Sequence, residues 1–247
     1  RLNWRFWRST SMTRVNQIAY ALHALLDPTI VKWRDLAGWA GVPELVRQEG
    51  YAFAYRSREA FEGDALGRRL RQERGIRIAT LEGALVREFD PALSPGVTHL
   101  VVLPEQGHVV NPLRLAQALA ARLAQGGARF VTARVRGFDL ADGHVRRVLT
   151  DAEPVEADAV VVAAGAYAKP LAAELGANVP LDTERGYHVM LSDPSVVPRV
   201  PVCDGAAKWF VTPMEEGLRV AGTVEFAGLD AEPDWRRADN MIGGIRR

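Results

Sequence analysis

The sequence predicts a mixed α/β protein. Three features carry that prediction. Apolar residues recur at helical spacing over residues 11–48 and again after Asn111. Short alternating or wholly apolar runs, such as Tyr51–Tyr55 and residues 159–163, read as strands. Gly, Pro and Asp punctuate these runs, above all at Asp142-Gly143.

Taken in order, Val15, Ile18, Ala19, Leu22, Leu25 and Leu26 mark a first helix, which Asp27-Pro28 interrupts before a second over residues 29–40. Tyr51-Ala52-Phe53-Ala54-Tyr55 alternates large and small residues, as a strand does. Residues 57–75 read as a helix, 76–78 as a short strand, 81–89 as a short helix and 98–103 as a strand. Asn111 is a natural N-cap and Pro112 a natural first helical residue, with Leu113, Ala116, Leu119, Ala120 and Leu123 lining one face. Gly126-Gly127 ends that helix. Residues 130–140 and 145–150 then form a hairpin about Asp142-Gly143, with a short third strand at 155–157. Ala159-Val160-Val161-Val162-Ala163 predicts a strand buried on both faces, ending in the small-residue loop Ala164-Gly165. A short helix at 170–175, strands at 185–191, 208–212 and 218–224, and a helix over 233–242 complete the chain.

Composition narrows the function. The 247 residues are 48% hydrophobic and 25% charged, with a formal net charge of +1. That balance suggests no nucleic-acid partner, and the six Trp lie on no basic stripe. One cysteine, Cys203, excludes an internal disulfide and a multi-thiolate zinc site, and fits a reducing, cytoplasmic setting. No HExxH, GxSxG or P-loop occurs. No apolar run reaches the roughly 20 residues of a membrane span. The basic, aromatic start at residues 1–8 leaves two readings open: a peripheral patch on the inner membrane, or a solvated or inter-domain helix.

The order helix, strand, hairpin, apolar strand, small-residue loop matches part of the two-dinucleotide-binding-domain flavoprotein plan. Several segments in order, Gly50–Tyr55, Gly107–Pro112, 159–166, Thr183–Val189, Phe210–Pro213 and Arg219–Glu225, resemble the D-amino-acid dehydrogenase, glycine oxidase and sarcosine oxidase family of FAD-dependent oxidoreductases, the dehydrogenase branch most of all. Two departures stand out. The family's opening GxGxxG unit is absent, since no two glycines are separated by one residue. The family's C-terminal FAD segment and carboxylate-binding arginine have no counterpart before Arg247. The expectation is a fragment with a ragged sheet edge and an open cofactor cleft.

The resemblance implies FAD as cofactor and an amino acid or amine as substrate, oxidised at its C–N bond to an imine and then a keto acid. It divides the chain into a helical segment (1–48), substrate-domain parts (49–103 and 176–230), an FAD-domain part (104–175) and the start of a return to the FAD domain (231–247). It places Val135 beside the adenine, and Ala164 and Gly165 beside the flavin. Arg185, Tyr187, His188 and Phe210 are the substrate-side candidates. Strand alternation lets only one of Tyr187 and His188 face the pocket. No catalytic acid–base residue is assigned. His23, His99 and His144 read as structural or solvated, and Cys203 as a buried, inert thiol. Two other readings stand beside this one: a non-catalytic piece completed by another polypeptide segment, and a non-flavin α/β binding protein. A contact with an electron acceptor is a further expected partner.

Overall fold

A computed structural model describes residues 9–245. The chain forms two compact units: Arg1–Gly126 with Tyr187–Thr223 and Trp235–Arg247, and Gly127–Gly186 with Val224–Asp234. The basic, aromatic start lies outside the described residues.

The first unit is built on a mixed, largely antiparallel sheet. Its strands are β2 (Tyr51–Tyr55), β3 (Ala79–Glu82), β4 (His99–Leu103), β9 (Arg185–Leu191), β10 (Val202–Asp204), β11 (Phe210–Met214) and β12 (Gly217–Glu225). They run in the order β3-β4-β2-β10-β11-β12-β9, and β10 pairs with β2 in parallel. The ends of β9 and β12 belong to the second unit. A two-stranded ribbon, β1 (Val46–Arg47) with β5 (His108–Val109), lies apart from this sheet.

Alternation gives the sheet two faces. On one, Ala52 and Ala54 pack with Leu100, Val102, Val200 and Val202 beneath α5 (Ala84–Phe89). On the other, Tyr51, Phe53 and Tyr55 pack with Val101, Leu103 and Phe61, beside α3 (Arg58–Gly63) and α4 (Ala65–Gln72). The helix predicted over 57–75 is thus two helices broken at Asp64. The break is used, because the Tyr55 hydroxyl donates to Asp64 Oδ2 at 2.7 Å.

The long N-terminal helices are α1 (Met12–Leu26), capped by Ser11, and α2 (Thr29–Trp39). α6 (Pro112–Gln125) begins as expected, with Asn111 Oδ1 accepting from the Arg114 amide at 3.0 Å. The apolar line read from the sequence is covered only in part. Leu115 and Leu119 pack against Ala37, Leu45 and Val110, while Leu113 is 68% exposed. A helix apolar on several sides buries whichever side meets a partner, and α2 with β1 supplies it.

The second unit contains the expected meander: β6 (Val135–Ala141), β7 (His144–Thr150) and β8 (Val155–Glu156), all antiparallel. Asp142 and Gly143 both take positive φ, 52° and 76°, the signature of a type I′ turn that matches strand twist. Residues 130–134, expected within the first strand, lie before it. Residues 159–163 form no strand, and Val161 is 88% exposed. A β-branched run becomes a buried strand only when neighbours supply hydrogen bonds and cover, and no described strand pairs with it. The chain continues through a 3₁₀ turn (Gly165–Tyr167) into α7 (Ala168–Glu174).

Candidate functional site

The part of the sheet face bearing Tyr51, Phe53 and Tyr55 that α3 and α4 leave uncovered, around Phe210, is the open face and the candidate substrate surface. Cα partners on neighbouring strands share a face. Cys203 partners both Phe53 and Phe210, and Phe210 partners Ala221, so these four form one row. Tyr51, Phe53 and Phe210 meet edge to face, with centroids 5.4 to 6.2 Å apart. Phe210 is 37% exposed. On the opposite face, Val220 packs with Tyr187 and Met241 of α8 (Arg236–Ile245). Tyr187 is therefore buried, edge-on to Trp235 at 6.1 Å. Alternation along β9 turns His188 to the face of Phe210, where it is exposed.

Of the substrate-side candidates, His188 and Phe210 share the open face, and Tyr187 lies beneath the sheet. Arg185 belongs to the second unit. It pairs with Glu225 at 3.4 Å and donates to the Ala231 carbonyl.

The environment of the aromatic row is set by burial. The Arg71 guanidinium lies 4.6 Å from the centre of the Phe53 ring. Burial raises the Tyr51 hydroxyl above its ordinary pKa, with Arg71 opposing, so it stays a neutral donor. Burial also pushes the Cys203 thiol up to about 11, the inert state expected of it. At the β5 end, His108 donates through Nε2–H to the Pro213 carbonyl at 3.1 Å, and burial lowers its pKa. His99 is buried and stacked on Phe61 at 5.0 Å, a packing role. Arg71 was not legible in the sequence, because a helical arginine ordinarily reads as a solvated charge. Tyr51 and Phe53 were visible only as strand residues.

In the second unit, Val135 opens β6, an edge strand of the meander, so among the described residues one side of its backbone has no ladder partner. Gly165 has φ +53°, and a Cβ built on it would meet nothing within 4 Å. A side chain would be strained there, yet the space above the backbone is open. With Ala164 alongside, the loop lets a large planar group approach the main chain. The residues present thus fit a flavin at this loop. Among the described residues, no His, Cys, Asp and Glu group could hold a metal ion, and no helix is long and apolar enough to cross a membrane.

A mixed sheet with an aromatic face and an antiparallel meander followed by a small-residue loop define a mixed α/β architecture. Residues 3–247 match the family described as FAD dependent oxidoreductase (DAO), and the chain belongs to it. It is 41% identical over 226 residues to a D-amino-acid oxidase of Bradyrhizobium diazoefficiens, covering 92% of this chain and 53% of that protein. It is 27% identical over 232 residues to a D-amino acid dehydrogenase of Rhizobium johnstonii, covering 90% of this chain and 56% of that protein. The chain thus spans about half the length of these relatives. Among solved structures, glycine oxidase from Bacillus cereus superposes with a TM-score of 0.72 at 21% identity, over 93% of this chain and 62% of that one. L-proline dehydrogenase from P. horikoshii gives 0.70 at 17% identity, over 87% and 61%. These likenesses concern the fold.

Proposed function

We propose that the chain is the substrate sheet and part of the cofactor domain of an enzyme that oxidises the C–N bond of an amino acid or secondary amine. The product is an imine that hydrolyses to a keto acid, and D-amino-acid dehydrogenase is the nearest reading. The observation that carries this is the family match over residues 3–247, together with an open aromatic sheet face. FAD, when bound, supplies the oxidising power for removal of a hydride from the carbon bearing the amine.

The chain's own residues have simpler tasks. Ala164 and Gly165 offer bare backbone to the isoalloxazine, and the free edge of Val135 offers an amide and a carbonyl to the adenine. Phe210, backed by Phe53 and Tyr51, gives the substrate side chain an apolar wall and keeps water from that side. His188, on the same face, supplies a polar group at its rim. Arg185, held by Glu225, serves to fix the end of β9.

A second reading rests on Val161, which is 88% exposed. It holds that another polypeptide segment must cover the run 159–163 before FAD binds. The exposed apolar side chains of α1 and α2, such as Leu25 and Trp39, support a peripheral contact with a membrane or an electron acceptor.

The test is the flavin spectrum of the purified chain after gel filtration with excess FAD. Stoichiometric yellow protein, lost in Gly165→Val, supports cofactor binding by this chain. A folded but colourless chain supports the second reading.

A further inference from the structure

The β11–β12 hairpin carries Phe210 at one end and turns at Glu215-Glu216 at the other. β11 pairs with β12 at every position from Phe210 to Met214. Its join to β10 is short. Among the described residues, only Val202 with Val211 and Cys203 with Phe210 are partners there. β9, beyond β12, is the last strand of the sheet and moves with the hairpin. The tip at Glu215 lies roughly 16 Å from Phe210 at the rise of a strand. A two-stranded ribbon is marginal by itself, so a hairpin joined this briefly can pivot at the join. Phe210 sits at that pivot, and a swing of the tip would turn its ring on Phe53.

Residues 108–114 hold the tip from outside the sheet. His108 Nε2–H donates to the Pro213 carbonyl at 3.1 Å, and the Glu215 amide donates to the Val110 carbonyl at 3.0 Å. Asn111 Nδ2 donates to Glu215 Oε2 at 2.8 Å. Arg114 donates to Glu215 Oε1 through Nη1 and to Glu44 Oε1 through Nη2. Both carboxylate oxygens of Glu215 are thus engaged. One guanidinium joins the hairpin to the 3₁₀ turn Pro43–Leu45.

The holder is itself fixed. Asn111 Oδ1 accepts from the Arg114 amide at 3.0 Å, so one side chain starts α6 and also grips Glu215. The Val110 amide donates to the Leu45 carbonyl at 2.9 Å, and Val110 is buried with Leu45, Ala37 and Leu115. Gly107 lets β5 come down onto β1, because a Cβ there would overlap the Arg47 carbonyl.

The side chains of Arg114 and Glu44 are 41% and 58% exposed. Ion pairs this exposed add little to global stability. Several directed bonds converging on one carboxylate instead fix its place, since a guanidinium fork sets geometry as well as energy.

We propose that Arg114 and Asn111 are positioning residues. Through Glu215 they latch the β11–β12 hairpin at the angle that seats Phe210 against Phe53. The consequence for substrate rests on the reading of Phe210 as an apolar wall; the latch stands on the bonds above.

The test places 4-fluorophenylalanine at position 210 of the purified chain and follows it by fluorine NMR. The signal reports the ring's setting against Tyr51 and Phe53 and needs neither FAD nor turnover. Arg114→Ala and Glu215→Ala are each expected to move the resonance towards that of the denatured chain, while the melting temperature stays within a few degrees of wild type. Arg114→Lys, whose single ammonium cannot span both acids, is expected to fall between. A resonance unmoved in both alanine variants would overturn the proposal. So would one that moves only in step with a falling melting temperature, since that is general loosening. Should Arg114→Ala fail to fold, Glu215→Ala, at an exposed turn, still decides. In the flavin-loaded enzyme, Arg114→Ala should raise KM for D-leucine about threefold or more, with a smaller change in kcat. A moved resonance with KM unchanged would keep the latch and overturn Phe210 as the substrate wall.

Discussion

Phe53 and Phe210 stand on either side of Cys203, their rings 6.2 Å apart and tilted by 71°, so that the small thiol of β10 lets two aromatic side chains meet across the strand between them. Phe53 is the inner partner, under Arg71, and Phe210 the outer one. This relationship separates residues that shape a surface from residues that hold the sheet together.

Phe210→Ala should therefore cost little stability, about the 0.5–1.5 kcal/mol of its aromatic contacts. In the flavin-loaded enzyme it should raise KM for an apolar amino acid about tenfold or more, with a smaller effect for glycine. Tyr187→Ala should behave oppositely. Its ring is 5% exposed against Val220 and Met241, so its loss should destabilise by about 3–5 kcal/mol in chemical denaturation. If Phe210→Ala unfolded the protein and left KM unchanged in whatever remained, the sheet face would be structural.

The division between these residues was partly legible in the sequence. Alternation in Arg185–Leu191 required Tyr187 and His188 to face apart, and they do. The side that α8 covers was not legible, because that depends on where a helix some fifty residues later docks. The hairpin was legible because Asp-Gly at a two-residue loop is a strong local signal. β10 escaped notice since three residues flanked by Pro201 and Gly205 carry no periodicity, although this strand is central and its parallel pairing joins the two halves of the sheet. The run 159–163 failed in the other direction. Its local preference for strand is clear, but a strand requires a neighbour, and propensity does not report one.

Cys203 gives a pH prediction. Its folded pKa, about 11, lies above the ordinary value of 9.0 because burial disfavours the thiolate. The folded state therefore keeps its proton where the unfolded state loses it. The stability this represents is complete below about pH 9 and falls away as pH rises towards about 11. Wild type should lose melting temperature over that window faster than Cys203→Ala does. Parallel curves for the two proteins would show that the thiol does not contribute. Alkylation by iodoacetamide at pH 8 should also be slow until denaturant is added.

Asp90 is a buried carboxylate, 2% exposed, whose oxygens accept from two backbone amides: Ala92 at 3.0 Å and Arg199 at 2.7 Å. The second bond ties the loop before β10 to the end of α5. Asp90→Ala would leave two amides unpaired and should destabilise by about 2–5 kcal/mol. Asp90→Asn keeps one acceptor oxygen and should recover part of that. Denaturant midpoints for the three proteins in the order wild type, Asn, Ala are the expected outcome; an indistinguishable Asn and Ala would mean that only the charge matters.

Gly244 gives the most stringent packing test. A Cβ built on it would lie 1.5 Å from Cζ3 of Trp209, so the helix backbone and the indole ring already fill that space. Trp209 belongs to the cluster in which Tyr187, Val220 and Met241 are buried, and α8 reaches the sheet only because position 244 has no side chain. Gly244→Ala normally gains helix propensity, by up to about 1 kcal/mol in an exposed helix. Here overpacking should outweigh that gain and destabilise by about 1–3 kcal/mol. Trp209→Leu alone should also destabilise, by leaving a void beside Met241. In the double variant the methyl group occupies space the indole has vacated, so the two losses should sum to clearly more than the double variant shows. A coupling energy of at least about 1 kcal/mol in that cycle is expected. Strict additivity would mean that α8 is not seated on Trp209, and that the covered face of the sheet, which turns His188 to the open side, is held by other contacts.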